Sequence, residues 1–172
     1  MSHTVYETEM WVPSSLDKVW DFFSDATNLL KITPSVFGVE VDHSGETVNG
    51  AQVALYPKWL KKDGPLAWVA VYQDVQSSGD ERSFTDYMKK GPLSHWSHTH
   101  QFISGTKEIA LKGDKVFRNS SPGTWLKDRV EYKFLPSLVP GSKLIDEKIV
   151  KSFLNQLFFF RRKKLLKIFN EN

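Results

Sequence analysis

The chain has 172 residues, 12 Phe, 6 Trp, 5 Tyr and no cysteine, which makes one domain with a generous core and excludes disulfide scaffolds, thiol nucleophiles and Cys-type zinc sites. Its charge of +3 is unevenly placed: residues 143–172 hold eight basic and three acidic side chains, and the rest of the chain is slightly acidic. A basic last segment on a near-neutral body argues against a nucleic-acid partner.

The first segment, His3 to Val12, alternates. Val5, Glu7, Glu9 and Trp11 fall on one side, and Tyr6, Thr8, Met10 and Val12 on the other, which predicts a strand. Pro13 breaks it. Ser14 or Ser15 then caps a helix with Asp17 in its first turn and Leu16, Val19, Trp20 and Phe23 at helical spacing. A second short helix starts near Asp25 or Thr27, carries Leu29, Leu30 and Ile32, and ends at Thr33-Pro34, because a residue before proline disfavours helix.

From Val36 to Phe134 short β-rich runs are punctuated by turn residues at 43–45, 63–65, 78–80 and 91–92. They predict strands at 36–42, 51–60, 66–76, 82–89, 95–103 and 124–134. Between the last two, the stretch 104–122 reads as an inserted hairpin, with 107–111 and 115–118 flanking Lys112-Gly113-Asp114. After Pro136 and Pro140-Gly141 a long helix begins at Ser142 or Asp146 and runs to about Phe169. No run approaches the ~20 apolar residues of a membrane-spanning helix. Met1–Glu7 shows no basic-then-apolar signal pattern, so the cytoplasm is the expected compartment.

One face of a curved antiparallel sheet needs cover, and a long amphipathic helix laid across it supplies that cover, with a gap between them. The order resembles the START-like helix-grip superfamily, also called SRPBCC, which includes polyketide cyclases. Three segments carry the resemblance: Trp11 to Asp25 with Asn28-Leu29; Gly91 to Phe102; and Gly123 to Tyr132 with Phe160-Arg161-Arg162 and Leu165 to Phe169. They are similar to a bacterial subgroup of the polyketide cyclase/dehydrase-like kind. The resemblance implies a single START-like ligand-binding domain over 1–172, of class α+β. In it, about seven curved antiparallel strands wrap a long C-terminal helix, and two short helices follow the first strand. It also implies an apolar or amphipathic ligand, lipid-, quinone- or polyketide-like, held between sheet and helix. Fold does not fix function, and the resemblance names no reaction.

Alternation places Trp96, His98, His100 and Phe102 on one face of their strand, and Leu126, Asp128, Val130, Tyr132 and Phe134 on one face of theirs. The opposite face of the second strand carries Lys127, Arg129, Glu131 and Lys133, which belong in water. Asp128 therefore points inward and needs a partner, since a buried unpaired carboxylate is costly. His98 or His100 is the expected one. This group has three readings: a polar pair that fixes register, a polar anchor for a ligand, or an imidazole base oriented by a carboxylate. In the last, His98, His100 and Asp128 are the candidate catalytic groups for cyclisation or dehydration. No metal is expected: a His-x-His pair in the cupin manner needs a glutamate three or four residues on, and those positions are Ile103 and Ser104. No phosphate-binding glycine motif occurs, and no cofactor is expected.

On the last helix, Val150, Leu154, Leu157, Phe158, Leu165, Ile168 and Phe169 form one apolar stripe, with Lys163, Lys164 and Lys167 opposite. Arg161 falls inside the stripe, either snorkelling to water or reaching the pocket to bind a ligand carboxylate or phosphate. The run Arg161, Arg162, Lys163, Lys164 beside Phe158–Phe160 is either a solvated face or a weak contact for anionic membrane. The residues expected to hold a ligand are Trp96, His98, His100, Phe102, Asp128, Tyr132 and Arg161. Binding without catalysis is the leading expectation. A cyclase or dehydratase using the His/Asp pair and an interaction domain with a filled cavity are the alternatives.

Overall fold

The computed structural model describes residues 3–43, 46–57, 67–91, 93–109, 119–133 and 142–170. Seven strands form a single antiparallel sheet: β1 (Thr4–Val12), β2 (Val39–His43), β3 (Gln52–Pro57), β4 (Trp68–Gln76), β5 (Glu81–Lys90), β6 (His95–Ile109) and β7 (Asn119–Lys133). Their spatial order is β1-β7-β6-β5-β4-β3-β2. All consecutive strands from β2 to β7 are neighbours, and β1 closes the far edge by pairing with β7. Helix α1 (Leu16–Ser24) follows β1, and helix α2 (Ser142–Asn170) ends the fold. This is the α+β helix-grip architecture expected from the element order.

The local signals act as chemistry requires. Ser15, not Ser14, caps α1, its hydroxyl accepting from the Lys18 amide. Asp25 caps the next turn by accepting from the Thr27 amide at 2.9 Å and its hydroxyl at 2.6 Å. That element is a tight 3₁₀ helix over Ala26–Ile32. The expected strand at 36–42 starts late. Ser35–Phe37 is a 3₁₀ turn, closed by Gly38 in the left-handed region at φ 52°, and pairing begins only at Val39.

Residues 104–109 and 119–122 are the described ends of the predicted insert. They prolong β6 and β7 in unbroken register, from Gly105 opposite Gly123 to Ile109 opposite Asn119. The expected turn at Lys112-Gly113-Asp114 lies outside the described residues, as do Trp59 and Phe134.

Strand alternation and helical period agree in choosing the buried face. On β1, Met10 and Val12 are buried while Val5, Glu7 and Glu9 are exposed. On β7, Leu126, Val130 and Tyr132 are buried. On α2, Leu154, Phe158 and Leu165 are buried, and Lys163, Lys164 and Lys167 are exposed. Two clusters result. The larger gathers Trp20, Val53, Ala70, Tyr72, Phe84, Phe102 and Leu165. The smaller sets Val130 and Tyr132 against Leu154 and Phe158, at the middle of the helix grip. No helix among the described residues is long and apolar enough to cross a membrane.

Candidate functional site

The site is built on the centre of the sheet, where β6 lies between β5 and β7. The period of two turns Trp96, His98, His100 and Phe102 toward α2. The register sets Asp86 of β5 opposite His98, and Asp128 of β7 opposite His100. Cross-strand neighbours and their diagonals are within side-chain reach, so each carboxylate touches both imidazoles.

On the β7 side, Asp128 Oδ1 lies 3.0 Å from His98 Nε2 and 2.9 Å from His100 Nδ1. On the β5 side, Asp86 Oδ2 lies 3.5 Å from His98 Nδ1 and 3.5 Å from His100 Nε2. The two imidazoles are thus clamped between two carboxylates, with ring centroids 3.8 Å apart. The indole N–H of Trp96 donates to Asp86 Oδ1 at 3.1 Å. Around this polar core stand aromatic walls: Phe84 lies 4.6 Å and Phe23 5.9 Å from the His100 ring, and Phe158 meets His98 edge-on at 5.8 Å.

Electrostatics follow from this packing. Burial alone would raise the Asp128 carboxyl, but hydrogen bonds from His100 and His98 hold it well below the usual carboxylate range. Asp86 is lowered on balance in the same way: burial opposes ionisation, and His100, His98 and Trp96 outweigh it. The imidazoles diverge. Burial and the neighbouring His100 push His98 down. His100 is buried too, yet its bonds to Asp128 and Asp86 carry it above the ordinary histidine value.

A cavity of about 470 Å³ opens between this cluster, α2 and the 3₁₀ helix. Its wall is mostly apolar, with Ile32, Val53, Leu55, Ala70, Phe84, Trp68 and Leu157 among its members, and His98, His100, Asp86 and Arg161 gather at one part of it. Arg161 enters from α2 with its guanidinium carbon 5.4 Å over the Phe158 ring. Its Nε is buried and has no hydrogen-bond partner. Burial pulls its pKa down, and Asp128 and Asp86 pull it back. A smaller cleft of about 180 Å³ lies on the β1 side, where Tyr6, Asp128, Phe158 and Arg161 meet.

Of the residues expected to hold a ligand, Trp96, His98, His100 and Arg161 line the larger cavity, and Asp128 lines the smaller cleft. Phe102 and Tyr132 line neither. Phe102 packs beneath His100 against Trp20 and Phe23, and Tyr132 fills the smaller cluster. Asp86 was not among the sequence candidates. Its signal was present in the alternation Phe84, Asp86, Met88, which puts a carboxylate on an apolar face. Of the middle-strand aromatics, Tyr56, Trp68, Tyr72 and Phe84 line the cavity, while the Tyr87 hydroxyl bonds Asp74.

Two groups of described residues bring three potential metal donors within 4.8 Å of one another: Asp86, His98 and His100 in the cluster, and His3, His95 and Glu131 toward the sheet surface.

The sequence model of a family described as "Polyketide cyclase / dehydrase and lipid transport" matches residues 12–158. A comparison with curated proteins finds no match. Among solved structures, norcoclaurine synthase from Thalictrum flavum, in complex with dopamine and hydroxybenzaldehyde, is similar at a TM-score of 0.58 and 15% identity, covering 99% of this chain and 88% of that one. A START superfamily protein from Mycobacterium smegmatis gives 0.56 at 12% identity, with 99% of both chains covered. A nucleoside-diphosphate sugar epimerase from Corynebacterium glutamicum gives 0.56 at 19%, covering 94% of this chain and 28% of that longer one. At these identities the likeness is one of fold.

Proposed function

Since the chain belongs to the polyketide cyclase / dehydrase and lipid transport family, we propose that it binds an apolar or amphipathic small molecule in the cavity between sheet and α2. The observation that carries this reading is the wall itself: about 470 Å³, mostly apolar, with a few convergent polar groups. That is the usual composition of a small-molecule site, in which apolar surface supplies affinity and placed polar groups supply orientation. The ligand's apolar body lies against Ile32, Val53 and Ala70. Its polar end faces His98, His100 and Asp86, within reach of the unpartnered Arg161 Nε.

The test is organic extraction and mass spectrometry of protein purified from cells, with Ala70→Phe as the comparison. Ala70 is buried in β4 opposite Val53 and lines the cavity, so the larger side chain occupies ligand space. A small molecule recovered from the wild type and missing from a folded Ala70→Phe protein supports the reading. Equal recovery from both, or none from either, overturns it.

A second reading rests on the clamped imidazoles. A histidine held by a carboxylate suits proton abstraction next to a carbonyl, and His98, whose pKa burial pushes down, is the candidate base. Recovery of a bound molecule that turns over in the wild type, and not in His98→Gln, favours this enzyme reading over simple binding.

A further inference from the structure

We propose that Asp86, His98 and His100 form a binding site for one divalent transition-metal ion of the zinc kind, and that Asp128 is the carboxylate that orients both imidazoles from behind. An ionised carboxylate only accepts, so the 3.0 and 2.9 Å contacts to Asp128 Oδ1 place the protons on His98 Nε2 and His100 Nδ1. With both imidazoles neutral, the opposite nitrogens, His98 Nδ1 and His100 Nε2, carry the lone pairs. Both are aimed at the same oxygen, Asp86 Oδ2, each 3.5 Å away. These three acceptors, within 4.8 Å of one another, repel unless something positive sits among them, either an added proton on His100, which donates it to Asp86, or a metal ion that takes the proton's place.

The spacing suits a metal ion. Donors bound to zinc at about 2.0–2.1 Å in tetrahedral geometry lie about 3.3–3.4 Å from each other, close to the 3.5 Å found on both sides of Asp86. The surroundings suit it too. Metal-bound histidines generally donate their other N–H to a carboxylate, which fixes tautomer and ring angle, and Asp128 does this for both rings. Trp96 Nε1 holds the second oxygen of Asp86 at 3.1 Å. Every donor atom is thus braced from the side away from the site, on three central strands. Two imidazoles and one carboxylate favour zinc, iron, cobalt or nickel over magnesium or calcium.

All three donors line the cavity, so a fourth coordination position is open toward it. The single strand does not show such a site, because the carboxylate comes from the neighbouring strand and not from position 103 or 104. The proposal does not depend on the ligand reading, since an ion can bind with the rest of the cavity empty.

The other histidine group supplies the control. His3 and His95 stack at 4.0 Å, with His3 Nδ1 4.0 Å from Glu131. The test therefore uses the full chain carrying His3→Ala and His95→Ala, stripped with EDTA and dialysed. Zinc is titrated by calorimetry, and cobalt by its visible d–d absorption. The expected result is one ion per chain, loss of binding in Asp86→Asn and His98→Gln, and weakening by about 10–100-fold in Asp128→Asn, the usual cost of removing such an outer partner. X-ray absorption of the zinc-loaded double variant is expected to count two imidazoles. It serves as the deciding measurement if the cluster variants fail to fold. No uptake of zinc or cobalt, uptake unchanged by Asp86→Asn, or a spectrum without two imidazoles overturns the proposal. An imidazolium proton then fills the place of the ion.

Discussion

Replacing Asp128 with alanine removes one oxygen on which two buried imidazole N–H groups depend, at 3.0 and 2.9 Å. No other carboxylate on the β7 side replaces it among the described residues, and Asp86 lies against the opposite nitrogens. A buried donor left without a partner costs about 1–3 kcal/mol, so two of them cost about 2–6 kcal/mol. For a chain of this length each kcal/mol lowers Tm by about 2–4 °C, which gives a fall of roughly 4–24 °C. Asparagine separates the hydrogen bonds from the charge. It keeps an acceptor oxygen in the same place and loses only the charge assistance, which about doubles the strength of such bonds. Its cost is therefore about half that of alanine. The assay is thermal and urea unfolding followed by circular dichroism, in EDTA so that no ion adds to the stability. Lys127→Ala, exposed on the same strand, is the reference and is expected to stay within about 0.5 kcal/mol of the wild type. If Asp128→Ala is as stable as Lys127→Ala, or if asparagine costs as much as alanine, the reasoning about the clamped imidazoles is wrong.

Three further outcomes follow from the packing. Gly123→Ala puts a methyl group against the Val12 carbonyl oxygen and 2.6 Å from Trp11 Cε2. It is expected to lose about 1–3 kcal/mol, as overpacked sites do, in urea unfolding. Leu154, wholly buried between α2 and β7, is expected to cost about 3–5 kcal/mol on truncation to alanine, whereas Phe159→Ala, at 61% exposure, leaves the unfolding midpoint near the wild type. The Tyr72 phenol is pushed up from 10.0 by burial first and by Asp86 second. The folded chain then keeps a proton that the unfolded chain gives up, so stability is whole below about pH 10 and falls as pH rises above it. Urea unfolding between pH 9 and 11 is expected to show a shallower loss for Tyr72→Phe, and an unchanged slope speaks against the burial of the hydroxyl.

Much of this fold is written in short-range patterns. Period-two alternation on residues 95–103 and 124–132 identified the faces that bear His98, His100 and Asp128, because one face of each strand had to be dry. The apolar stripe from Val150 to Phe169 likewise fixed which side of α2 meets the sheet. Alternation reports a face and not a depth, however. Phe102 and Tyr132 share the inward face with the cavity residues, yet lie below its floor or in the neighbouring cluster. Pairing register is a long-range property. That Asp86 sits opposite His98, and completes the clamp from the far side, depends on β5 lying next to β6 with that stagger, which no window of one strand contains. The 104–122 stretch shows the same limit. Local composition reads it as an insert, whereas Gly105 and Gly123 face each other within one continuous ladder of the described residues, where the absence of a side chain admits Trp125 and Trp11.

The space between sheet and helix carries its own reporter of an amphipathic ligand. Trp68 and Trp96 stand edge to face at 4.9 Å and both line the cavity. Titration with 8-anilinonaphthalene-1-sulfonate, an apolar body with one anionic group, is expected to quench their emission as a single saturable site. Ala70→Phe, in protein shown by circular dichroism to be folded, is expected to weaken that site at least about tenfold. Dye binding that never saturates, or that Ala70→Phe leaves unchanged, contradicts a ligand site in this cavity.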